Sequence, residues 1–225
     1  RSRGLGDVYK RQLLTDSSAD LRWDQARENN IFFVPLRILC EDGEYLDGVN
    51  ITGPDIYQRL HNGELPQTSL PRVEDFSAKL REIFDLGYDG VIAVMLSSGL
   101  SGTYNLARIL AGECAEQGYA MKVFDSVSGA LGQGMTVLQL AEDIKNGMDW
   151  EELTERRAPQ LIANTYPFFS VDTLEYLVKG GRIGKVTAMA GTMLQIKPVM
   201  HVDDEGHLIP LEKVRGRKKS LKALV

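Results

Sequence analysis

The sequence predicts an α/β protein with a parallel-sheet N-terminal domain and a smaller, truncated α+β C-terminal domain. Strand-like and helix-like segments alternate through the first two-thirds of the chain, which is typical of a parallel sheet covered by helices. From about Pro167 the segments become shorter, and residues 197–202 and 207–211 form a hairpin-like pair. The length of 225 residues permits this division. We therefore predict domains at residues 13–165 and 166–225.

The N-terminal elements follow from local signals. A short apolar run at Leu13-Leu14 leads through a Thr-Asp-Ser-Ser turn into a helix over residues 19–29. A strand over residues 31–39 contains Pro35, which indicates an edge or a bend. The Glu41-Asp-Gly-Glu stretch indicates a turn. Pro54 suits the first turn of a helix over residues 54–60, and apolar spacing predicts a helix over residues 73–86.

The remaining elements continue this alternation. Strands are predicted at residues 91–96 and 121–125, and helices at residues 131–146 and 150–161. In the C-terminal domain we predict a strand at 168–172, a helix at 173–179 and a break at Gly180-Gly181 before the hairpin. Residues 1–12 are basic and aperiodic, so we expect a non-native leader there. The chain ends inside a helical pattern at residues 219–225, so we expect an incomplete C-terminal domain.

Composition excludes several classes of protein. The net charge of −5 argues against general nucleic-acid affinity, and no apolar run is long enough to cross a membrane. The N-terminus lacks the apolar core of a secretory signal. Cys40 and Cys114 lie far apart and without metal-ligand spacing, which favours reduced thiols in a cytoplasmic protein. We expect no transmembrane segment, no bound metal and no nucleic-acid partner.

The stretch from Val91 to Ala107 is the most informative candidate site. A buried strand runs into a turn rich in glycine and hydroxyl groups, which opens a helix. A helix start carries unpaired N–H groups and favours an anion. The Asp16-Ser17-Ser18 turn follows another predicted strand, and the loops after parallel strands converge on one crevice. N-capping explains that turn equally well.

A second hydroxyl pair, Thr68-Ser69, is framed by prolines. It is either an ST-turn or helix cap, or a rigidly held hydroxyl donor. Thr68 and one serine of the Ser97-Ser98 pair could hold one carboxylate together. Only one of those serines is expected to face the ligand, because adjacent residues of an extended segment point to opposite sides.

The sequence contains no recognisable catalytic constellation. The Gly-x-Ser-x-Gly elbow is absent, and the glycines at 129, 132 and 134 fit neither a P-loop nor a dinucleotide fingerprint, so they favour tight packing. Six basic residues and no acidic ones lie between Lys213 and Lys222. This cluster is a solvated face, a nucleic-acid tail, or, together with Arg182, a site for phosphate or an acidic partner.

An ordered series of motifs resembles the DegV family of fatty-acid-binding proteins. It comprises Leu14–Leu21, Val34–Leu36, Thr68-Ser69, Leu96–Tyr104, Asp125-Ser126, Leu174–Ile183, Ile196–Val199 and Lys213–Gly216. The resemblance implies a two-domain α/β carrier that is not an enzyme, needs no cofactor and holds one long-chain fatty acid between its domains. Such proteins present the carboxylate to a fatty acid kinase and carry the acyl phosphate toward phospholipid synthesis.

By the same resemblance, Thr68 and the serine at 97 or 98 would bind the carboxylate. Arg182 and Arg215 would lie near the head group or on the kinase-docking surface. A C-terminal, histidine-bearing segment of the family has no counterpart in this sequence. An enzyme acting on a small anionic metabolite at the same crevice is the alternative.

Overall fold

The computed structural model describes residues 10–186 and 196–225, and the chain divides after Thr165 into two compact units. Residues 1–9 of the predicted leader lie outside the described residues. Arg11 and Gln12, the last two residues of that leader, form the beginning of the first strand. Within the described ranges, no helix is long and apolar enough to cross a membrane.

The first unit contains two sheets. Its strands are β1 (Arg11–Asp16), β2 (Ile31–Val34), β3 (Arg37–Cys40), β4 (Gly43–Leu46), β5 (Gln67–Ser69), β6 (Gly90–Met95) and β7 (Ala120–Asp125). Four of them form a parallel sheet in the order β2-β1-β6-β7, and three form an antiparallel sheet in the order β4-β3-β5. The predicted α/β class with a parallel sheet is confirmed.

Helices cover both faces of the parallel sheet. The helices of this unit are α1 (Trp23–Glu28), α2 (Gly53–His61), α3 (Val73–Asp85), α4 (Thr103–Glu116), α5 (Ala130–Lys145) and α6 (Ala158–Ala163), which continues a π-helical segment at Glu152–Arg157. Helix α2 has no buried residue and does not contribute to either covered face. Side chains alternate between the faces, so Ile92 packs with Leu140 of α5 while Val91 packs with Phe76 of α3. Every residue of β6 is buried, as expected for a central parallel strand.

The largest departure from the sequence prediction lies between residues 31 and 40. The single predicted strand is two strands, because Pro35 and Leu36 break it and its halves enter different sheets. The predicted helix over 19–29 is a short 3-10 turn at Ser17–Ala19 followed by α1. Thr68 lies in strand β5 rather than in a turn or a helix cap, because β5 pairs with β3 through Ile38.

The second unit is built on a three-stranded antiparallel sheet. Its strands β8 (Phe168–Ser170), β9 (Val199–Val202) and β10 (Leu208–Glu212) lie in the order β10-β9-β8. The predicted hairpin is present, with Leu208 opposite Val202. Two short helices, α7 (Glu175–Lys179) and α8 (Arg217–Ala223), and a 3-10 turn at Gly184–Val186 accompany the sheet.

Candidate functional site

The candidate site lies at the carboxyl edge of the parallel sheet. The chain adds β2 on one side of β1 and later adds β6 on the other, so the strand order reverses between β1 and β6. Crevices at such reversals are the usual ligand sites of open α/β sheets. Asp16 ends β1, Ser97 and Ser98 follow β6, and Asp125 ends β7. The sheet therefore gathers the polar residues that the sequence placed after separate strands.

Asp16 is fully buried at this reversal point. Its carboxylate accepts hydrogen bonds from the Leu96 N–H at 2.7 Å, the Ser18 N–H at 3.0 Å and Gln133 Nε2 at 3.3 Å. The Ser18 hydroxyl is a further donor. Burial raises the pKa of Asp16 above its ordinary value, although these hydrogen bonds act in the opposite direction. The predicted N-cap role is thus only part of what this carboxylate does.

The raised pKa of Asp16 predicts a pH-dependent stability difference between the wild type and Asp16→Asn. The folded protein binds the carboxyl proton more tightly than the unfolded chain, so ionisation of Asp16 disfavours folding. Relative to Asp16→Asn, the wild type should lose free energy of unfolding as the pH rises above the ordinary aspartate pKa of 3.8. Urea unfolding of both proteins between pH 4 and pH 8 measures this. A difference that moves in favour of the wild type with rising pH would contradict it.

The backbone N–H groups at the start of the loop after β6 donate hydrogen bonds to other parts of the protein. The N–H groups of Leu96, Ser97 and Ser98 donate respectively to Asp16, to the Ser128 carbonyl at 2.9 Å and to the Asp125 carboxylate at 3.2 Å. These three groups are therefore not open to an anion. The unpaired N–H groups expected at the helix start belong to α4, beyond this part of the loop, where hydroxyl groups are the donors that remain.

The two adjacent serines differ in burial. Ser97 is fully buried, and its hydroxyl oxygen accepts a hydrogen bond from the Gly99 N–H at 3.2 Å. Its carbonyl accepts from Leu100 and Ser101, which closes the turn before α4. Ser98 is exposed. Ser97 therefore builds the loop, and Ser98 is the serine that solvent or a ligand can reach.

Thr68 is exposed on β5 of the antiparallel sheet. The neighbouring Ser69 hydroxyl accepts from Arg37 Nη2 at 2.8 Å. Just after β5, the methyl carbons of Leu70 lie 4.0 Å from the point that a Cβ on Gly102 would occupy. Gly102 is the N-cap of α4, so the end of β5 lies beside the loop that carries Ser98.

The loop after β7 supports the serine loop, and sequence reasoning assigned it only to tight packing. Val127 and Ala130 both adopt a positive φ of 47°. This conformation is costly for residues with a Cβ and persists only where the surroundings enforce it. Between them, Ser128 offers its carbonyl to Ser97. The two positive φ angles leave no signal in the residue types, which explains why the loop was not recognised.

The predicted basic residues lie in the second unit. Arg182 is exposed and donates to the Gly180 carbonyl at 2.6 Å. Arg215 is exposed and forms a β-bridge with Ile196. Arg217 donates to the Ser170 carbonyl at 3.1 Å and pairs with Asp172 at 3.3 Å. At least this third arginine serves to fasten α8 within its own unit.

Two groups of possible metal ligands occur in the described parts of the chain, and each already contains a cation. Cys40, Asp42 and Glu64 surround Arg59, which pairs with the two carboxylates at 2.8 and 3.0 Å. Asp203, Glu205 and His207 form the second group, where Lys185 lies 2.6 Å from Asp203 and 3.5 Å from Glu205. Both groups are therefore ion-pair clusters in this structure.

Comparison with known proteins gives one consistent result. A family model described as an uncharacterised protein of the DegV family matches residues 10–225. A DegV domain-containing protein of Clostridium perfringens is 40% identical over 217 residues, which are 96% of this chain and 76% of the relative.

The solved structures agree with the family match. A DegV family protein of Thermus thermophilus, described by its fatty acid binding, has a TM-score of 0.85 at 34% identity and covers 95% of this chain and 76% of its own. A stearic-acid-binding protein of Eubacterium ventriosum has a TM-score of 0.83 at 30% identity, with coverages of 95% and 73%. The whole architecture described above is thus shared with these proteins.

Proposed function

This chain belongs to the DegV family, and from that premise we propose that it binds a long-chain fatty acid and presents the carboxylate for phosphorylation. The observation that carries the proposal is the exposed Ser98 hydroxyl on a fixed loop at the sheet reversal, in a fold whose solved relatives bind fatty acids. The first step is binding, and transfer of the head group follows from it.

We assign the carboxylate head group to Ser98 and Thr68. Both are exposed, and the Leu70–Gly102 approach holds their segments side by side. Neutral hydroxyl donors suit a head group that alternates between a carboxylate and an acyl phosphate, because they need no change of charge in the protein. Ser97, the other candidate of the pair, takes the structural role, since its hydroxyl is buried and already accepts from Gly99.

The tail supplies most of the affinity. Burying about 14 methylene groups at ~0.8 kcal/mol each contributes roughly 11 kcal/mol before the costs of association. A hydrogen bond to a charged carboxylate contributes about 1.5–3 kcal/mol. The hydroxyls therefore select and orient the head group, while the acyl chain determines whether the ligand binds at all.

Replacing the head-group hydroxyls should weaken binding without unfolding the protein. We expect Ser98→Ala and Thr68→Ala each to raise the Kd for palmitate about tenfold, which corresponds to the loss of one charge-assisted hydrogen bond. Calorimetric titration of lipid-free protein measures the change. Thr52→Ala is the matched control, because Thr52 is exposed and only caps α2. Unchanged affinity in both site variants would contradict the assignment.

The kinase partner completes the proposal. A fatty acid kinase would phosphorylate the presented carboxylate, and the protein would carry the acyl phosphate toward phospholipid synthesis in the cytoplasm. The exposed Arg182 and Arg215 are the residues we assign to the phosphorylated head group or to docking of the kinase. Incubation with palmitate, ATP and a bacterial fatty acid kinase tests this step. Acyl phosphate that forms without the kinase would instead favour an enzyme.

A further inference from the structure

Asp16 is an unusual residue to find at this position. It is fully buried, and within the described ranges its carboxylate is held by hydrogen bonds rather than by a charged partner. Burial of an unpaired carboxylate costs several kcal/mol unless hydrogen bonds compensate. Here the compensation comes from the Leu96 N–H, the Ser18 turn and Gln133. The carboxylate is thus the point at which the loop after β6 is tied to β1 and α5.

The polar side chains around Asp16 also form hydrogen bonds with one another. Gln133 is fully buried on α5, and its Nε2 also donates to the Thr15 hydroxyl at 3.0 Å. Its Oε1 lies 2.9 Å from the Ser18 hydroxyl, whose single proton is shared between Gln133 and Asp16. Thr15 in turn donates to the Val94 carbonyl of β6 at 2.7 Å. Buried networks in which every group is satisfied fix one arrangement of the backbone.

The serine loop depends on three acceptors. Leu96 is held by Asp16, Ser97 by the Ser128 carbonyl and Ser98 by Asp125. Of these three acceptors, Asp16 is the one that reaches the loop from β1, across the reversal point of the sheet. Without it, the two acceptors that remain both lie on the β7 side. Ser98 lies two residues beyond Leu96, so a shift at Leu96 would change where its hydroxyl is presented.

We propose that Asp16 is a positioning residue for the head-group site: it holds Leu96 so that the Ser98 hydroxyl meets the ligand carboxylate, and it does not touch the ligand itself. This inference rests on the proposed function. It predicts that Asp16 controls recognition of the head group rather than affinity for the acyl tail.

The test compares palmitic acid with methyl palmitate, which has the same tail and no ionisable head group. The measured quantity is the ratio of the two Kd values in Asp16→Ala, Asp16→Asn and the wild type. We expect Asp16→Ala to weaken palmitate about tenfold and methyl palmitate less than about twofold. Asp16→Asn should shift the ratio in the same direction but less than Asp16→Ala, because its single amide oxygen cannot accept both from Leu96 and from the Ser18 and Gln133 donors on the other side of the carboxylate.

The control is Asp143→Ala on α5. Asp143 is also buried, but its carboxylate pairs with Arg157 of the π-helical segment at 2.7 Å and accepts from Gln139 of α5, rather than from the serine loop. The Asp143→Ala substitution should lower the free energy of unfolding and leave the ratio of the two Kd values unchanged. Equal weakening of both lipids by Asp16→Ala would show a merely structural role and overturn the inference.

The inference can still be tested if one of the Asp16 variants does not fold. If Asp16→Ala fails to fold, folded Asp16→Asn decides alone, and an unchanged ratio in it overturns the inference. Failure of the proposed function has a different signature: folded wild-type protein would not bind palmitate, or would bind both lipids equally. A discriminating wild type with an unchanged ratio in Asp16→Ala would contradict the positioning role alone.

Discussion

Gly134→Ala is expected to lower the free energy of unfolding by about 2–3 kcal/mol, the range for forcing extra atoms into a packed interior. A Cβ at this position would lie far inside van der Waals contact with the Ala19 carbonyl oxygen, and 3.1 Å from a methyl of Leu21. The Ala19 oxygen cannot retreat easily, because it belongs to the backbone of the turn that follows Asp16. The same substitution should disturb the candidate site, since α5 also carries Gln133.

Thermal unfolding measures this effect, with a decrease in Tm of roughly 4–12 °C expected. Gly112→Ala is the matched control, because Gly112 lies within helix α4 with nothing within 4 Å of its added Cβ. Alanine there should raise stability by up to about 1 kcal/mol through its better helix propensity. Equal Tm values for Gly134→Ala and the wild type would show that α5 does not approach the turn this closely.

Gly184→Ala is the corresponding prediction for the second unit, with an expected loss of about 2–4 kcal/mol from overpacking and backbone strain together. Gly184 has φ +55°, and its Cβ would lie 2.7 Å from the Leu208 carbonyl oxygen and 3.2 Å from the Leu208 nitrogen. Both atoms belong to strand β10. The glycine therefore lets the 3-10 turn lie directly against the edge of the hairpin.

Gly181→Ala separates backbone strain from overpacking. Gly181 also has a positive φ, +72°, but nothing lies within 4 Å of its added Cβ. It should cost only the strain, about 1 kcal/mol. Chemical unfolding followed by near-ultraviolet signals measures both variants. If Gly181→Ala proved as damaging as Gly184→Ala, contact with β10 would not be the reason for the glycine.

The parallel sheet was predictable because its central strands β1 and β6 contain buried apolar runs and helix α3 has a clear apolar face. The apolar run that ends at Met95 and the helical spacing from Val73 were enough to place β6 and α3 closely. At Pro35 the sequence predicted an edge or a bend within one strand, and not a break between two strands. Whether the two halves of a broken strand stay in one sheet depends on pairing with distant segments, and β3 pairs with β5 about thirty residues later.

The sequence predicted several of the residues that meet at the candidate site, but not what each of them does there. Loops after parallel strands must converge, so Asp16, Ser97 and Ser98 could be placed together in advance. Which serine is buried depends on how the loop closes, through bonds such as those from Gly99, Leu100 and Ser101 to Ser97. Gln133 was missed, because a glutamine within an apolar helix gives no sign that it faces a buried carboxylate. The strained loop at Val127 was missed for the same kind of reason.

The most direct test of the central claim is native mass spectrometry of the protein purified from a bacterial host without detergent. The account predicts a population heavier by the mass of one long-chain fatty acid, lost after organic extraction and restored by adding palmitate. The double variant Thr68→Ala Ser98→Ala should carry a smaller fraction of bound lipid. Folded protein that is purified without a bound fatty acid and takes up no added palmitate would contradict the account.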